Sequence, residues 1–182
     1  MIDNSLLPDH QKMDSQITFD YSNVGQLLSK KVQENSNKTF LICPGKKTDK
    51  FTYLEFKSLV DKTIKFLKHI DLKKNDKIAL IFHNSPEFLI LYFAGLTMGL
   101  TIVPINPDMA QREIKFIIEN SKSNAVFYVD KLESKINEIS NFYDKIKFKK
   151  IESINDLALS NVDKLEIQNI EVGLTELAVI IY

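Results

Sequence analysis

The sequence has one cysteine, Cys43, and three histidines in 182 residues. A single thiol excludes a disulfide framework and any Cys-rich zinc site. His10, His69 and His83 lie far apart in sequence, without metal-ligand spacing. An excess of charge of one sign is also missing, because 24 basic residues stand against 24 acidic ones. That balance argues against general nucleic-acid binding, which needs a basic surface to displace counterions from phosphates. Arginine is almost absent: Arg112 is the one guanidinium, so a bidentate grip on phosphate or carboxylate has one candidate. No nucleophile elbow, dinucleotide-binding glycine fingerprint or paired-carboxylate motif occurs. The first twenty residues are polar and mixed in charge, unlike a secretory signal. What remains, 44% hydrophobic and 26% charged residues, describes a globular chain of roughly one domain, soluble and intracellular. A chain of this length buries about two-thirds of its unfolded surface, enough to fold without a metal or a disulfide.

Along the chain, residues 1–21 lack periodicity and read as a mobile leader. A helix is expected after Ser22, with Val24, Leu27, Leu28 and Val32 on one face. Thr39 to Cys43 is a short apolar run stopped by Pro44-Gly45, a strand-then-turn signal. Thr52 and Glu55 have capping-box spacing, and Phe56, Leu59, Val60, Thr63, Leu67 and Ile70 follow at helical spacing. Ile78 to Phe82 reads as a parallel strand covered on both faces. Ser85 and Pro86 then start a helix that runs to Met98, with Gly99 as its left-handed cap. Thr101 to Val103 is a short strand ended by Pro104 and Pro107. Ile114, Ile117, Ile118 and Ser121 mark a helix face, and Ala125 to Val129 another buried strand. Leu132, Ile136 and Ile139 outline a weaker helix. Lys145, Lys147 and Lys149, alternating around Ile146 and Phe148, suggest an edge strand protected from self-pairing. Residues 152–176 carry no pattern, and Leu177 to Tyr182 is again strand-like. Strands alternating with helices, joined by crossovers of a dozen residues or more, predict an α/β fold. It is a mainly parallel sheet with helices on both faces.

Four features invite a sharper reading. Eighteen residues from Phe88 to Ile105 carry no charge, the length of a membrane span, and include Gly95 and Gly99 at GxxxG spacing. Gly99 and Pro104 fit a helix cap and a strand end equally, and no Lys/Arg asymmetry flanks the run, which favours a buried helix–strand pair. Gly45-Lys46-Lys47-Thr48 resembles the tail of a phosphate loop, but Phe40 occupies the position of its first glycine, and a hairpin is the better reading. His83 falls just past the carboxyl end of a strand, where open α/β sheets bind ligands, although a loop histidine beside a helix start accounts for it. Cys43 has no paired base nearby in sequence and reads as a small buried apolar residue. Composition and spacing therefore yield a parallel α/β domain and no chemistry.

The order of segments adds a resemblance. Phe51-Thr52-Tyr53-Leu54-Glu55-Phe56 resembles the first core motif of the adenylate-forming (AMP-binding) superfamily, which includes the acyl-CoA synthetases and fatty-acid–CoA ligases. Lys77 to Pro107 is similar to the next landmark, with Asn84-Ser85-Pro86-Glu87-Phe88 followed by Gly99 and Val103-Pro104-Ile105-Asn106-Pro107. Leu177 to Tyr182 looks like the strand before that family's Thr/Ser/Gly-rich phosphate-binding loop. The resemblance covers roughly Ser22 to Tyr182 and weakens between about Leu132 and Glu176. Asn106 after Val-Pro-Ile fits the acyl-CoA ligases better than the amino-acid-activating domains, which usually carry aspartate there.

The resemblance implies an ATP-dependent carboxylic acid–CoA ligase. Acyl-adenylate forms first and a thioester second, using ATP, Mg2+ and coenzyme A in the parent enzyme. It also implies that residues 22–182 are the amino-terminal part of the synthetase domain, ending before the phosphate-binding loop. No catalytic, cofactor-binding or metal-binding residue of the family can be carried onto any position here. The chain alone is accordingly expected to be inactive, prone to aggregate through its apolar terminal strand, and cytoplasmic. Two other readings stay open: a stand-alone binding or regulatory α/β domain, and a membrane-anchored interaction protein using residues 88–105.

Overall fold

A computed structural model describes residues 20–45, 50–157, 171–173 and 175–182. The proposed leader, apart from its last two residues, and Lys46 to Thr48 lie outside the described residues. The described residues open with helix α1 (Val24–Asn35), capped by Asn23, whose side chain accepts from the Gln26 N–H at 2.9 Å. Strands β1 (Thr39–Ile42) and β2 (Lys50–Thr52) pair antiparallel, so the Pro44-Gly45 signal does make a hairpin, with Gly45 at φ +80°. Helix α2 (Tyr53–His69) starts on the expected capping box. Glu55 N–H donates to Thr52 Oγ1 at 3.2 Å, and Thr52 N–H donates to Glu55 Oε2 at 2.8 Å. Its buried face includes Ile64 and Phe66 beside the expected Phe56, Val60, Thr63 and Leu67, while Leu59 is only half-buried.

The main sheet contains β3 (Lys77–Ile81), β4 (Thr101–Ile105), β5 (Ala125–Val129) and β6 (Lys147–Ile151), all parallel, in the spatial order β4-β3-β5-β6. Helix α3 (Pro86–Thr97) connects β3 to β4, α4 (Gln111–Ser121) connects β4 to β5, and α5 (Glu133–Ser140) precedes β6. Two apolar clusters follow from the two-residue period of the strands. Ile78, Leu80, Ile102, Ala125 and Phe127 face α1, α2 and α3. Ala79, Ile81, Val103, Ile105, Val126 and Tyr128 face α4 and α5. Travelling from β3 to β4 runs one way across the sheet, and from β4 through β5 to β6 the other. With crossovers of one hand, that reversal puts α3 on one face and α4 and α5 on the opposite one.

The charge-free run Phe88 to Ile105 thus resolves into the last ten residues of α3, a turn and a strand. Among the described residues no helix is long and apolar enough to cross a membrane. Gly95 and Gly99 are spent on packing within the chain. A Cβ on Gly95 would lie 2.5 Å from Ile102 Cδ1, and Gly99, at φ +70°, caps α3.

Pro104 does not end β4 as expected; it lies inside the strand, opposite Leu80. The Ile102 N–H and C=O point away from β3, towards residues 178 and 180, and Pro104 shares that side by the strand's period. Its missing N–H therefore removes no bond to β3. Leu177 to Tyr182 is less of a strand than expected. It forms one parallel bridge, Ile102 to Val179, next to β4. Within the patternless stretch, Ile154–Leu157 forms a 3-10 turn that buries Leu157 against α2 and α3.

Candidate functional site

The strand order reverses at β3, so a crevice opens outside the carboxyl ends of β3 and β5, where ligands bind in sheets of this topology. β3 delivers Phe82, His83 and Asn84 to this rim. Ser85 then turns the chain into α3, its hydroxyl accepting from the Phe88 N–H at 3.2 Å, with Pro86 in the first turn. That hydroxyl is engaged as a cap. β4 delivers Asn106, Pro107 and Asp108; the Asp108 N–H donates to Asn106 Oδ1 at 3.0 Å, which folds the loop back on itself. Ala110 then begins α4 without a side-chain cap, and its N–H donates instead to Glu113 Oε2 at 2.8 Å. The Lys135 ammonium, from α5, donates to the Met109 carbonyl at 3.0 Å and pins the same loop.

Two depressions meet at Phe82, His83 and Asn84. One is floored by Phe88 and Pro104 and rimmed by Asn106. The other is rimmed by Ser85, Glu87, Asp130, Lys131 and Glu152. His83 Nε2 lies 3.6 Å from Asp108 Oδ1, and both side chains are exposed. Lys150, near the end of β6, sits among three carboxylates: Asp130 at 2.9 Å, Glu133 at 3.1 Å and Glu152 at 3.1 Å. The hydrogen bonds that its ammonium donates to those three carboxylates, Asp130 first, hold it above the ordinary lysine range. Chemically, the rim offers amides, one imidazole beside a carboxylate, and acidic groups over an aromatic floor. That set can bind and orient a ligand.

The structure scatters the other sequence candidates. His69 ends α2, Cys43 is half-exposed after β1 and not buried as expected, and Arg112 sits in the first turn of α4. His10 lies outside the described residues. His83 alone reaches the crevice. Asp108, Asp130 and the Lys150 cluster escape a reading of the sequence, because each lies at the end of a different strand or in the turn after it and only the parallel stacking unites them. A charged residue within three positions of the end of β4, β5 or β6 is the available signal.

Comparison with known proteins decides the family. A family model described as "AMP-binding enzyme" matches residues 28–182. The chain belongs to the AMP-binding enzyme family. A similar protein is the crotonobetaine/carnitine–CoA ligase of Escherichia fergusonii, 33% identical over 89 residues, or 48% of this chain. That match spans 17% of the relative's length. The Mycobacterium tuberculosis fatty acyl CoA synthetase superposes with a TM-score of 0.76 at 25% identity, over 88% of this chain and 32% of that one. A long-chain-fatty-acid-CoA ligase from Archaeoglobus fulgidus gives 0.78 at 17% identity, over 89% and 35%. This AMP-binding chain therefore has the fold of the amino-terminal part of adenylate-forming enzymes and spans about a third of the solved relatives.

Proposed function

We propose that this chain supplies part of an ATP-dependent carboxylic acid–CoA ligase, with residues 22–182 forming the amino-terminal portion of its synthetase domain and 1–21 a leader. The observation that carries the reading is the family match over residues 28–182, with relatives named as CoA ligases and fatty acyl-CoA synthetases. In such a reaction the carboxylate attacks the α-phosphate of ATP, releasing pyrophosphate, and a thiol then displaces AMP to give the thioester.

The described residues do not fit an ATP–Mg2+ site. The crevice rim carries Glu87, Asp130 and Glu152, which oppose a triphosphate, and Lys150 is already held by three carboxylates. Among the described residues no three His, Cys, Asp or Glu side chains gather as a metal would require. No step is derived through nucleotide or metal on these residues. Their contribution is a rigid two-faced sheet that positions the His83–Ser85 and Asn106–Asp108 loops. Rigid scaffolds of this kind supply the orientation on which bimolecular chemistry depends.

The reading expects the 182-residue chain to be inactive alone and cytoplasmic, where ATP and coenzyme A are supplied. The test is carboxylate-dependent exchange of labelled pyrophosphate into ATP. No exchange is expected; exchange above a heat-killed control overturns the claim of inactivity. Expression of the open reading frame that follows the Tyr182 codon, joined to this chain, is expected to restore exchange if that frame continues into a Thr/Ser/Gly-rich loop. Recovery of the chain only from alkaline-washed membranes would contradict the placement in the cytoplasm.

A further inference from the structure

At the amino edge of the sheet, opposite the crevice, three segments meet that are distant in sequence. They are the loop from Asp71 to Asp76, the α3–β4 turn at Gly99, and residues 171–173 with 175–178. Lys74 joins them. Its ammonium lies 2.8 Å from Glu176 Oε1 and donates to the Glu171 carbonyl at 2.5 Å. The same Glu176 oxygen accepts the Gly173 N–H at 3.0 Å, which ties Glu176 to Gly173. The other oxygen, Oε2, is shielded from solvent and has no hydrogen-bond partner, so the carboxylate leans on Oε1 for its compensation. Gly99 makes the approach possible. A Cβ there would lie 3.0 Å from Lys74 Cγ and 3.1 Å from Val172 Cγ2, so a side chain at 99 would push away both the lysine stem and the segment.

Immediately after Glu176 the chain docks on β4. Thr101 Oγ1 donates to the Leu177 carbonyl at 3.1 Å, the Ile102 N–H to the Ala178 carbonyl at 2.9 Å, and the Ile180 N–H to the Ile102 carbonyl at 2.9 Å. Register matters at this bridge because strand side chains alternate. Ile180 packs against the α4–α5 core, whereas Ile181 is 79% exposed; a one-residue slip would exchange them. Two backbone bonds flanking Ile102 resist such a slip only weakly, and a charged anchor just upstream of the bridge resists it more.

We propose that Lys74 is a positioning residue: through Glu176 it fixes the register of residues 177–182 on β4.

Hydrogen exchange on the 182-residue chain tests the register directly and needs no activity, so its failure is distinct from failure of the ligase reading. In Lys74→Ala and in Glu176→Gln, amides of the peptide 177–182 are expected to exchange about tenfold faster, with peptides from β3 and β5 unchanged. Lys74→Arg is expected to keep the wild-type rate, and Lys74→Glu combined with Glu176→Lys to exchange more slowly than either single change. Unchanged exchange at 177–182, uniform acceleration across the sheet, or a double variant no better than the singles would overturn the proposal. Should Lys74→Ala fail to fold, Glu176→Gln against Lys74→Arg decides between the same outcomes, because both keep the size and hydrogen-bonding capacity of the side chain.

Discussion

At one edge of the sheet β6 presents Lys147, Lys149 and Lys150; at the other, β4 presents Thr-Ile-Val-Pro-Ile and is joined by residues 178–180. The lysine edge is closed by its own chemistry. Lys147 reaches the Asp71 carbonyl at 3.1 Å, Lys150 is held by three carboxylates, and a stripe of ammonium groups makes edge-to-edge pairing costly. The β4 edge is apolar and is continued by more chain, with Leu177, Ile181 and Tyr182 at 60%, 79% and 45% exposure. Charge closes one edge and added backbone continues the other, so a substitution acts differently at each.

The largest effect is expected where β4 meets the core. Ile102 is fully buried and touches both α3 and the terminal segment, so Ile102→Ala should cost about 2–5 kcal/mol in urea unfolding. A loss below about 1 kcal/mol would show that β4 is packed no better than an ordinary surface strand. Next in size, Thr52→Ala removes the cap of α2, the helix whose Phe66 packs on Phe127 of β5. About 1 kcal/mol should be lost.

Exchanging the character of the two edges affects association more than stability. Ile181→Lys should raise the concentration at which the chain stays monodisperse in light scattering, and Lys147→Ile with Lys149→Ile should lower it. The opposite ranking would mean that the terminal segment is not the sticky edge. Lys149→Ala alone, on a half-exposed position, should move stability by no more than about 0.5 kcal/mol.

The smallest effect is a pH dependence at the cap. The Thr52 N–H, and then its hydroxyl, hold the Glu55 carboxyl below the usual carboxylate range. A depressed carboxylate stabilises the folded state above its unfolded pKa, and the contribution fades as pH falls through the folded value. The difference in stability between wild type and Glu55→Gln should therefore be present at neutral pH and vanish in strong acid. A difference that persisted there would assign the effect to shape and not to charge.

Much of the fold is legible in the sequence because its signals are local. The Thr52–Glu55 box, the Ser85-Pro86 start and the four isoleucine and serine positions of α4 each specify their element within one or two turns. The departures share a cause as well. Pro104 reads as a strand end until the hydrogen-bonding side of each residue in β4 is known. Of the crevice, His83 can be placed from its position after an apolar run. Asp108 and the Lys150 cluster cannot, since each meets its partners only across separate strands and the turns that follow them.

By itself the sequence determined the alternation of helix and strand, the parallel class of the sheet, the lysine-guarded edge and the resemblance to AMP-binding enzymes. These depend on periodicity, capping and motif order, all of which act over a few residues. Tertiary structure alone decided that Gly95 packs against Ile102 and that Lys74 reaches Glu176 across 102 residues. Those outcomes turn on which surfaces come within a few ångströms of each other, and distance in space is not written in a local pattern.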